Sequence, residues 1–129
     1  MLSCDPASPL VARGDEDFDY EHAEEADRAF VVALESAGYD VSWQAVHLGN
    51  VDAVVEQLDC DVVFNLCDGS GPGRDNYPGL EALDALERRG VPYTGARRTP
   101  YALSISKLSM KERFVRAGVP TPRWQVFRN

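Results

Sequence analysis

Apolar residues recur at three- and four-residue intervals after an acidic stretch near the start of the chain. Ala23, Phe30 and Leu34 share one helical face at this spacing, and Gly38 supplies a left-handed stop. The pattern predicts a helix over about residues 21–37. Comparable apolar stripes, capping residues and stop signals predict further helices over residues 50–59, 76–89 (with Asn76 as the cap), 99–107 (with Thr99 as the cap) and 106–117.

Strand signals separate these helices. Val41, Trp43 and Ala45 alternate with polar neighbours, which is typical of a half-buried strand. The apolar run DVVFNL, residues 61–66, is typical of a central parallel strand covered on both faces. Weaker strand candidates lie at residues 1–8 and 91–95. The alternation predicts an α/β fold: a Rossmann-like parallel sheet with helices on both faces, followed by C-terminal helices.

Composition narrows the classes of function. The chain has 129 residues, with 13 basic and 21 acidic side chains and a net charge of −8. Such a field repels phosphate backbones and anionic lipid, so we expect neither nucleic acid nor membrane as a partner. No apolar run approaches the ~20 residues of a membrane helix, and no secretory signal is apparent. The three cysteines lack C-x-x-C spacing and are typical of reduced thiols in a cytoplasmic protein.

A glycine-rich loop links the apolar run 61–66 to the following leucine-rich helix. It does not match the dinucleotide fingerprint, because Arg74 stands at the third glycine position, and no P-loop lysine follows. The glycines can serve simply as a turn that needs positive φ, with Asp68 bonded to its own backbone. Alternatively, Asp68 accepts a hydrogen bond from a substrate amine, while Arg74 and the N–H groups of Asn76 and Tyr77 meet an anion.

Four short motifs follow in a fixed order: GVPYTG (90–95), ALSISK (102–107), MK (110–111) and AGVPTP (117–122). Together with the strand and the glycine loop, this set resembles the D-alanine–D-alanine ligase-like members of the ATP-grasp superfamily. The strand, the glycine loop and the motifs together span about half of the chain, and residues 21–60 agree with the family only in pattern.

This resemblance implies a pre-ATP-grasp substrate domain over residues 1–98, and a helical linker with the start of an ATP-grasp domain over residues 99–129. Enzymes of this kind join a carboxylate to an amine with ATP and Mg²⁺. Lys107 matches the family lysine that reaches ATP phosphate, and Asp68 falls where the family places a substrate-site residue. The candidate residues are Asp68, Gly69, Arg74 and Glu21 for substrate, and Lys107 and Lys111 for nucleotide.

The chain also departs from the family pattern. The first-strand glycine loop is not recognisable, and Ser106 replaces the aspartate that precedes the first lysine. The nucleotide-clamping lysines and magnesium ligands of the family would follow residue 129, and phosphoryl transfer depends on them. We therefore expect a substrate domain that is incomplete for catalysis alone. It would bind an amino-acid-like molecule, and it would be either truncated or completed by a second polypeptide carrying the ATP-grasp lobes. The alternative is a non-catalytic, flavodoxin-like binding module that forms a homodimer through its C-terminal helices.

Overall fold

The computed structural model describes residues 1–5 and 20–127, with side chains described from residue 25 onward in the first helix. The chain divides into two compact units, Met1–Gly95 and Ala96–Asn129. Within the described residues, no helix has the length and apolar character needed to cross a bilayer. The elements are β1 (Leu2–Cys4), α1 (Tyr20–Ser36), β2 (Gln44–Val46), α2 (Val51–Glu56) and α3 (Leu80–Arg89) in the first unit, and α4 (Arg98–Ser104) and α5 (Lys107–Arg116) in the second.

The sheet of the first unit is parallel. β1 pairs with β2 in a register that begins with Leu2 opposite Gln44. On its other side, Leu2 forms a parallel bridge with Asn65, and Val63 forms a parallel bridge with Tyr93. The α/β class is therefore confirmed, with two strands in the continuous ladder and two further segments joined to it by single bridges.

The core lies where the sheet meets α2 and α3. Leu86 of α3 is fully buried, and Val55 of α2 is 1% exposed. An exposed ion pair between Arg88 and Asp52, with N and O atoms 3.4 Å apart, also joins the two helices, but pairs of this type contribute little to stability. Apolar burial therefore dominates the packing. The core cluster consists of Leu2, Val46, Val51, Val55, Val63, Cys67, Ala82, Ala85 and Leu86.

Different residues of the sheet segments contact α1 and the chain that follows it. The Phe30 and Phe64 ring centroids lie 5.5 Å apart. The buried Ser3 hydroxyl accepts a hydrogen bond of 2.9 Å from Trp43 Nε1, which satisfies a polar group inside the fold. The Arg28 guanidinium lies 5.7 Å from the centre of the Trp43 ring.

Two predictions about strand burial were wrong. Val63 is buried as expected, but Val62 is 52% exposed, so the run 61–66 is not covered equally on both faces. In β2, Val46 is buried while Ala45 is exposed. The regular strand begins only at residue 44, so the alternation that starts at Val41 is not maintained into the ladder.

Two predicted helix caps were also wrong. α3 is preceded by Gly79, because Asn76 has a left-handed backbone with φ 58° and lies outside the helix. α4 is preceded by the extended Arg97, whose carbonyl accepts the Tyr101 N–H at 3.0 Å, so Thr99 lies inside the helix.

Candidate functional site

Asp68 and Gly69 lie at the edge of the sheet where the strands end. The segment before them is anchored to β1 by the Leu66 N–H, which donates to the Leu2 carbonyl at 2.8 Å. Asp68 is exposed, whereas Gly69 is buried. A Cβ atom at Gly69 would lie 2.1 Å from the Tyr77 carbonyl oxygen. Glycine is therefore required at residue 69 because the two arms of the loop approach backbone to backbone.

The Asp75 carboxylate holds the glycine loop closed. The Ser70 N–H donates to both of its oxygens, at 2.9 and 2.8 Å, and the Tyr77 N–H donates to Oδ1 at 3.0 Å. The Gly71 N–H donates to the Tyr77 carbonyl at 3.1 Å and completes the closure. Asp75 was not among the residues predicted from the sequence. The signal was an acidic residue just after three closely spaced glycines, a place where amides need acceptors.

The amides expected to meet an anion already have acceptors. The Asn76 N–H donates to the Gly71 carbonyl at 3.3 Å, and the Tyr77 N–H is bonded to Asp75. At the start of α3, the Gly79 N–H donates to Glu81 Oε2 at 3.2 Å. An anion here would have to displace these bonds and would face two carboxylates. The exposed Asp68 carboxylate makes this edge better suited to a positively charged group.

The other two substrate candidates have a different status. Arg74 is exposed in the turn at residues 72–75 of the same loop. Glu21 lies in the first turn of α1, but its side chain is outside the described residues. The structure therefore brings Asp68, Gly69 and Arg74 into one loop and does not test Glu21.

The two candidate lysines lie one turn apart on α5 in the second unit. Lys107 is the first residue of the helix and is exposed. Ser106 caps the helix, and its hydroxyl accepts the Ser109 N–H at 3.2 Å. Lys111 is half-buried, and its Nζ donates to Thr121 Oγ1 at 2.9 Å. Lys107 is thus available to solvent, whereas Lys111 ties α5 to the segment that follows it.

These residues fit the implied cofactors unequally. An exposed lysine at residue 107 fits a phosphate group. Among the described residues, no group of three His, Cys, Asp or Glu side chains is placed to hold a metal ion. The described side chains therefore do not form a magnesium site.

A cavity of about 570 Å³ lies at the opposite edge of the sheet from Asp68. Met1, Ser42 and Asp61, which precede their strand segments, line it together with Leu34 and Phe64. This cavity was not apparent from the sequence, because it depends on how the end of α1 packs over the strand starts.

Curated proteins resemble the chain over most of its length. It is 33% identical over 116 residues to the D-alanine–D-alanine ligase of Marinobacter nauticus, a match that covers 90% of the chain and 34% of the ligase. The ligase of Pseudomonas entomophila is 35% identical over 99 residues, or 76% of the chain and 29% of the ligase. This chain is related to the D-alanine–D-alanine ligases.

The similarity to the D-alanine–D-alanine ligases extends over more of the chain than the sequence motifs do, since the M. nauticus match covers 90% of it. Some other matches are shorter. The ligase of Moorella thermoacetica is 41% identical over 64 residues, which is half of the chain. The chain spans about a third of the length of the M. nauticus ligase. No family model and no solved structure matched the chain.

Proposed function

We propose that this chain is the N-terminal substrate domain of an ATP-dependent carboxylate–amine ligase. Residues 1–98 form a Rossmann-like pre-ATP-grasp domain, and residues 99–129 form a helical linker and the start of an ATP-grasp domain. The observation that carries the proposal is the 33% identity to a D-alanine–D-alanine ligase over 90% of the chain. The parallel bridges on both sides of β1 support the fold. Two contacts support helices on both faces of the sheet. Phe30 of α1 packs against Phe64, whereas Leu86 of α3 packs in the core cluster with Val63, the neighbour of Phe64 in the strand segment.

The substrate in this proposal is amino-acid-like. Asp68 accepts hydrogen bonds from the ammonium group, and Arg74 pairs with the carboxylate. Asp68 follows the strand segment directly, and Asp75 fixes the loop that carries Arg74, so both charges are presented on a rigid support. D-Alanine is the first substrate to test, because the matched relatives are D-alanine–D-alanine ligases.

The proposed nucleotide contact is Lys107. ATP supplies the phosphoryl group that activates the carboxylate, and the Lys107 ammonium offsets negative charge on its phosphates. Lys111 acts here as a brace through Thr121. We propose a cytoplasmic location, where ATP and Mg²⁺ are available. We also expect the purified 129-residue chain to release no phosphate from ATP, since the remaining catalytic lobes would come from another polypeptide or chain segment.

A chimeric ligase tests the proposal. The matched third of the M. nauticus ligase is replaced by this chain, and phosphate release from ATP is measured with and without D-alanine. We expect the chimera to show D-alanine-dependent release. Within the chimera, Asp68→Asn should raise the KM for D-alanine by about tenfold, because a hydrogen bond to a charged group is lost. Lys107→Met should instead raise the KM for ATP.

The matched control is Asp59→Asn, which removes an exposed carboxylate lining the cavity at the other edge of the sheet. It should leave both KM values unchanged. A folded chimera with no D-alanine-dependent turnover would contradict the proposal, as would equal effects of Asp68→Asn and Asp59→Asn.

A second candidate function is an association module. The second unit exposes several apolar side chains, including Val115 at 59%, Trp124 at 40% and Phe127 at 83%. These residues are suited to cover by a homodimer partner or by a polypeptide carrying the ATP-grasp lobes. Sedimentation equilibrium distinguishes these cases. A homodimer that Trp124→Ser dissociates favours the module, whereas a monomer that binds the isolated remainder of the M. nauticus ligase favours the substrate domain.

A further inference from the structure

Two cysteines lie opposite each other on neighbouring parallel segments. Cys4 is the last residue of β1. The parallel bridge between Leu2 and Asn65 sets the register, and two residues further along each segment it places Cys67 beside Cys4. Neighbouring parallel strands are about 4.8 Å apart, and paired residues direct their side chains to the same face. This spacing is within the range of Cα separations, about 4.4–6.8 Å, that a disulfide bridges.

The packing agrees with this register. Cys67 belongs to the core cluster, and the partly buried Cys4 packs against that cluster. Cys67 is 4% exposed, whereas Cys4 is half-buried and its Sγ lies 3.5 Å from the Pro78 carbonyl oxygen. Cys60, the third cysteine, is exposed. The chain thus contains one preformed dithiol and one separate thiol.

We propose that Cys4 and Cys67 form a reversible disulfide by exchange with a small-molecule disulfide. The Cys4 thiolate attacks one sulfur of that molecule, forms a mixed disulfide and releases one thiol. The Cys67 thiolate then attacks the Cys4 sulfur, closes the protein disulfide and releases the second thiol. Two protein thiols are oxidised, one small disulfide is reduced to two thiols, and the two protein protons end on the released thiols.

The position of the pair determines what the disulfide would act on. Cys67 directly precedes Asp68, and Cys4 lies beneath Pro78 at the far end of the glycine loop. The bond would join the ends of two sheet segments beneath this loop. The dithiol chemistry does not depend on the proposed ligase function, so either can be rejected without the other.

The test uses the full chain carrying Cys60→Ser, which leaves the two cysteines of interest. The folded protein is equilibrated with mixtures of reduced and oxidised glutathione, quenched with acid and analysed by intact mass. We expect a product two hydrogens lighter than the dithiol, with both thiols lost to maleimide labelling. The same equilibration in concentrated urea measures the unfolded chain. We expect the equilibrium constant for disulfide formation to be at least about tenfold larger in the folded protein, because the strand register already holds the two cysteines side by side.

A double variant gives the matched control. Cys4→Ser with Cys60→Ser leaves Cys67 alone and should remain protected from glutathionylation while folded. Three results would overturn the proposal. The first is a stable glutathione adduct on the Cys60→Ser protein with no internal disulfide. The second is an equilibrium constant for disulfide formation that is no larger in the folded than in the unfolded chain. The third is a folded dithiol that stays reduced at every glutathione ratio.

Discussion

The Asp75 carboxylate accepts the Ser70 N–H at both oxygens, at 2.9 and 2.8 Å, across the glycine loop. It accepts the Tyr77 N–H as well. One side chain thus satisfies amides on both arms of the loop that carries Arg74. The loop resembles a phosphate cradle in sequence, but its own carboxylate occupies the place that an anion would take.

Replacing Asp75 should open this loop. Asp75→Ala leaves two amides without their acceptor and should lower the free energy of unfolding by about 2 kcal/mol. Asp75→Asn keeps one acceptor oxygen and should recover part of the loss. Urea denaturation measures stability, and hydrogen exchange at the Ser70 and Tyr77 amides measures local opening. The exposed Glu56→Ala serves as the control, with an expected change within about 0.5 kcal/mol. Equal exchange rates in Asp75→Ala and the unsubstituted protein would contradict this role.

Two loop glycines should respond differently to alanine. A Cβ at Gly69 meets the Tyr77 backbone at 2.1 Å, whereas a Cβ at Gly73 meets nothing within 4 Å. Gly69→Ala should therefore cost about 2–3 kcal/mol through backbone displacement. Gly73→Ala should cost about 1 kcal/mol, from the left-handed φ of 78° alone. Thermal unfolding of both variants gives the comparison, and equal losses would show that the loop relaxes freely around residue 69.

The sequence predicted elements best where one periodic signal agreed with a stop signal. The helix predicted over residues 21–37 is observed as Tyr20–Ser36, because its apolar spacing and Gly38 indicate the same end. The predicted stripe of α3 is confirmed by the burial of Leu83 and Leu86. The predicted start of α3 was wrong. Asn76 is a good cap by residue type, but its backbone is left-handed in the loop where Gly69 and Tyr77 approach closely.

The candidate site was predictable in location but not in contacts. The strand predicted over residues 61–66 places Asp68 at this edge, and the bridge between Leu2 and Asn65 agrees with that position. That a ligand binds there, as is common where parallel strands end, stays a prediction. The rule about strand ends does not say whether loop amides are free, and here the nearby Asp75 carboxylate already accepts the Ser70 and Tyr77 amides. The Cys4–Cys67 contact depends on strand register, which the cysteine spacing along the sequence does not contain.

Truncation in the core should be far more costly than truncation at its edge. Leu86 of α3 is fully buried in the core cluster, so Leu86→Ala should lower the free energy of unfolding by about 2–5 kcal/mol. Leu80, on the first turn of the same helix, is half-buried. Leu80→Ala should cost less than half as much. Urea denaturation of both variants measures this, and equal losses would mean that α3 packs by a different face.

The cap of α5 should tolerate aspartate but not alanine. Ser106 Oγ accepts the Ser109 N–H, so Ser106→Ala should cost about 1 kcal/mol of local stability. Ser106→Asp keeps an acceptor and adds a favourable charge at the helix N-terminus. It also restores the residue type that the ligase family has before this lysine. Hydrogen exchange at the Ser109 amide should be faster in the alanine variant and unchanged or slower in the aspartate variant. Faster exchange in both would show that the hydroxyl itself is required.

The buried Cys67 thiol should make the free energy of unfolding fall at alkaline pH. The hydrogen bond to the Cys4 thiol, burial, and the negative charges of Asp68 and Asp27 all raise the pKa of Cys67. In the unfolded chain the thiol ionises near pH 8.5, so the folded state is favoured fully below that pH. As the pH rises further, the unfolded chain loses the proton first and stability falls, by at most about 1.4 kcal/mol per pH unit.

Cys67→Ala isolates this contribution. The variant is less stable at neutral pH because it loses buried volume, but it lacks the alkaline slope, so the gap to the unsubstituted protein should narrow between about pH 8 and 10. Urea denaturation under a reducing agent measures both curves, and Cys60→Ser should retain the slope because Cys60 is exposed. Parallel curves for Cys67→Ala and the unsubstituted protein would mean that the buried thiol ionises as readily as in the unfolded chain. In that case, desolvation at the strand ends would not control its chemistry.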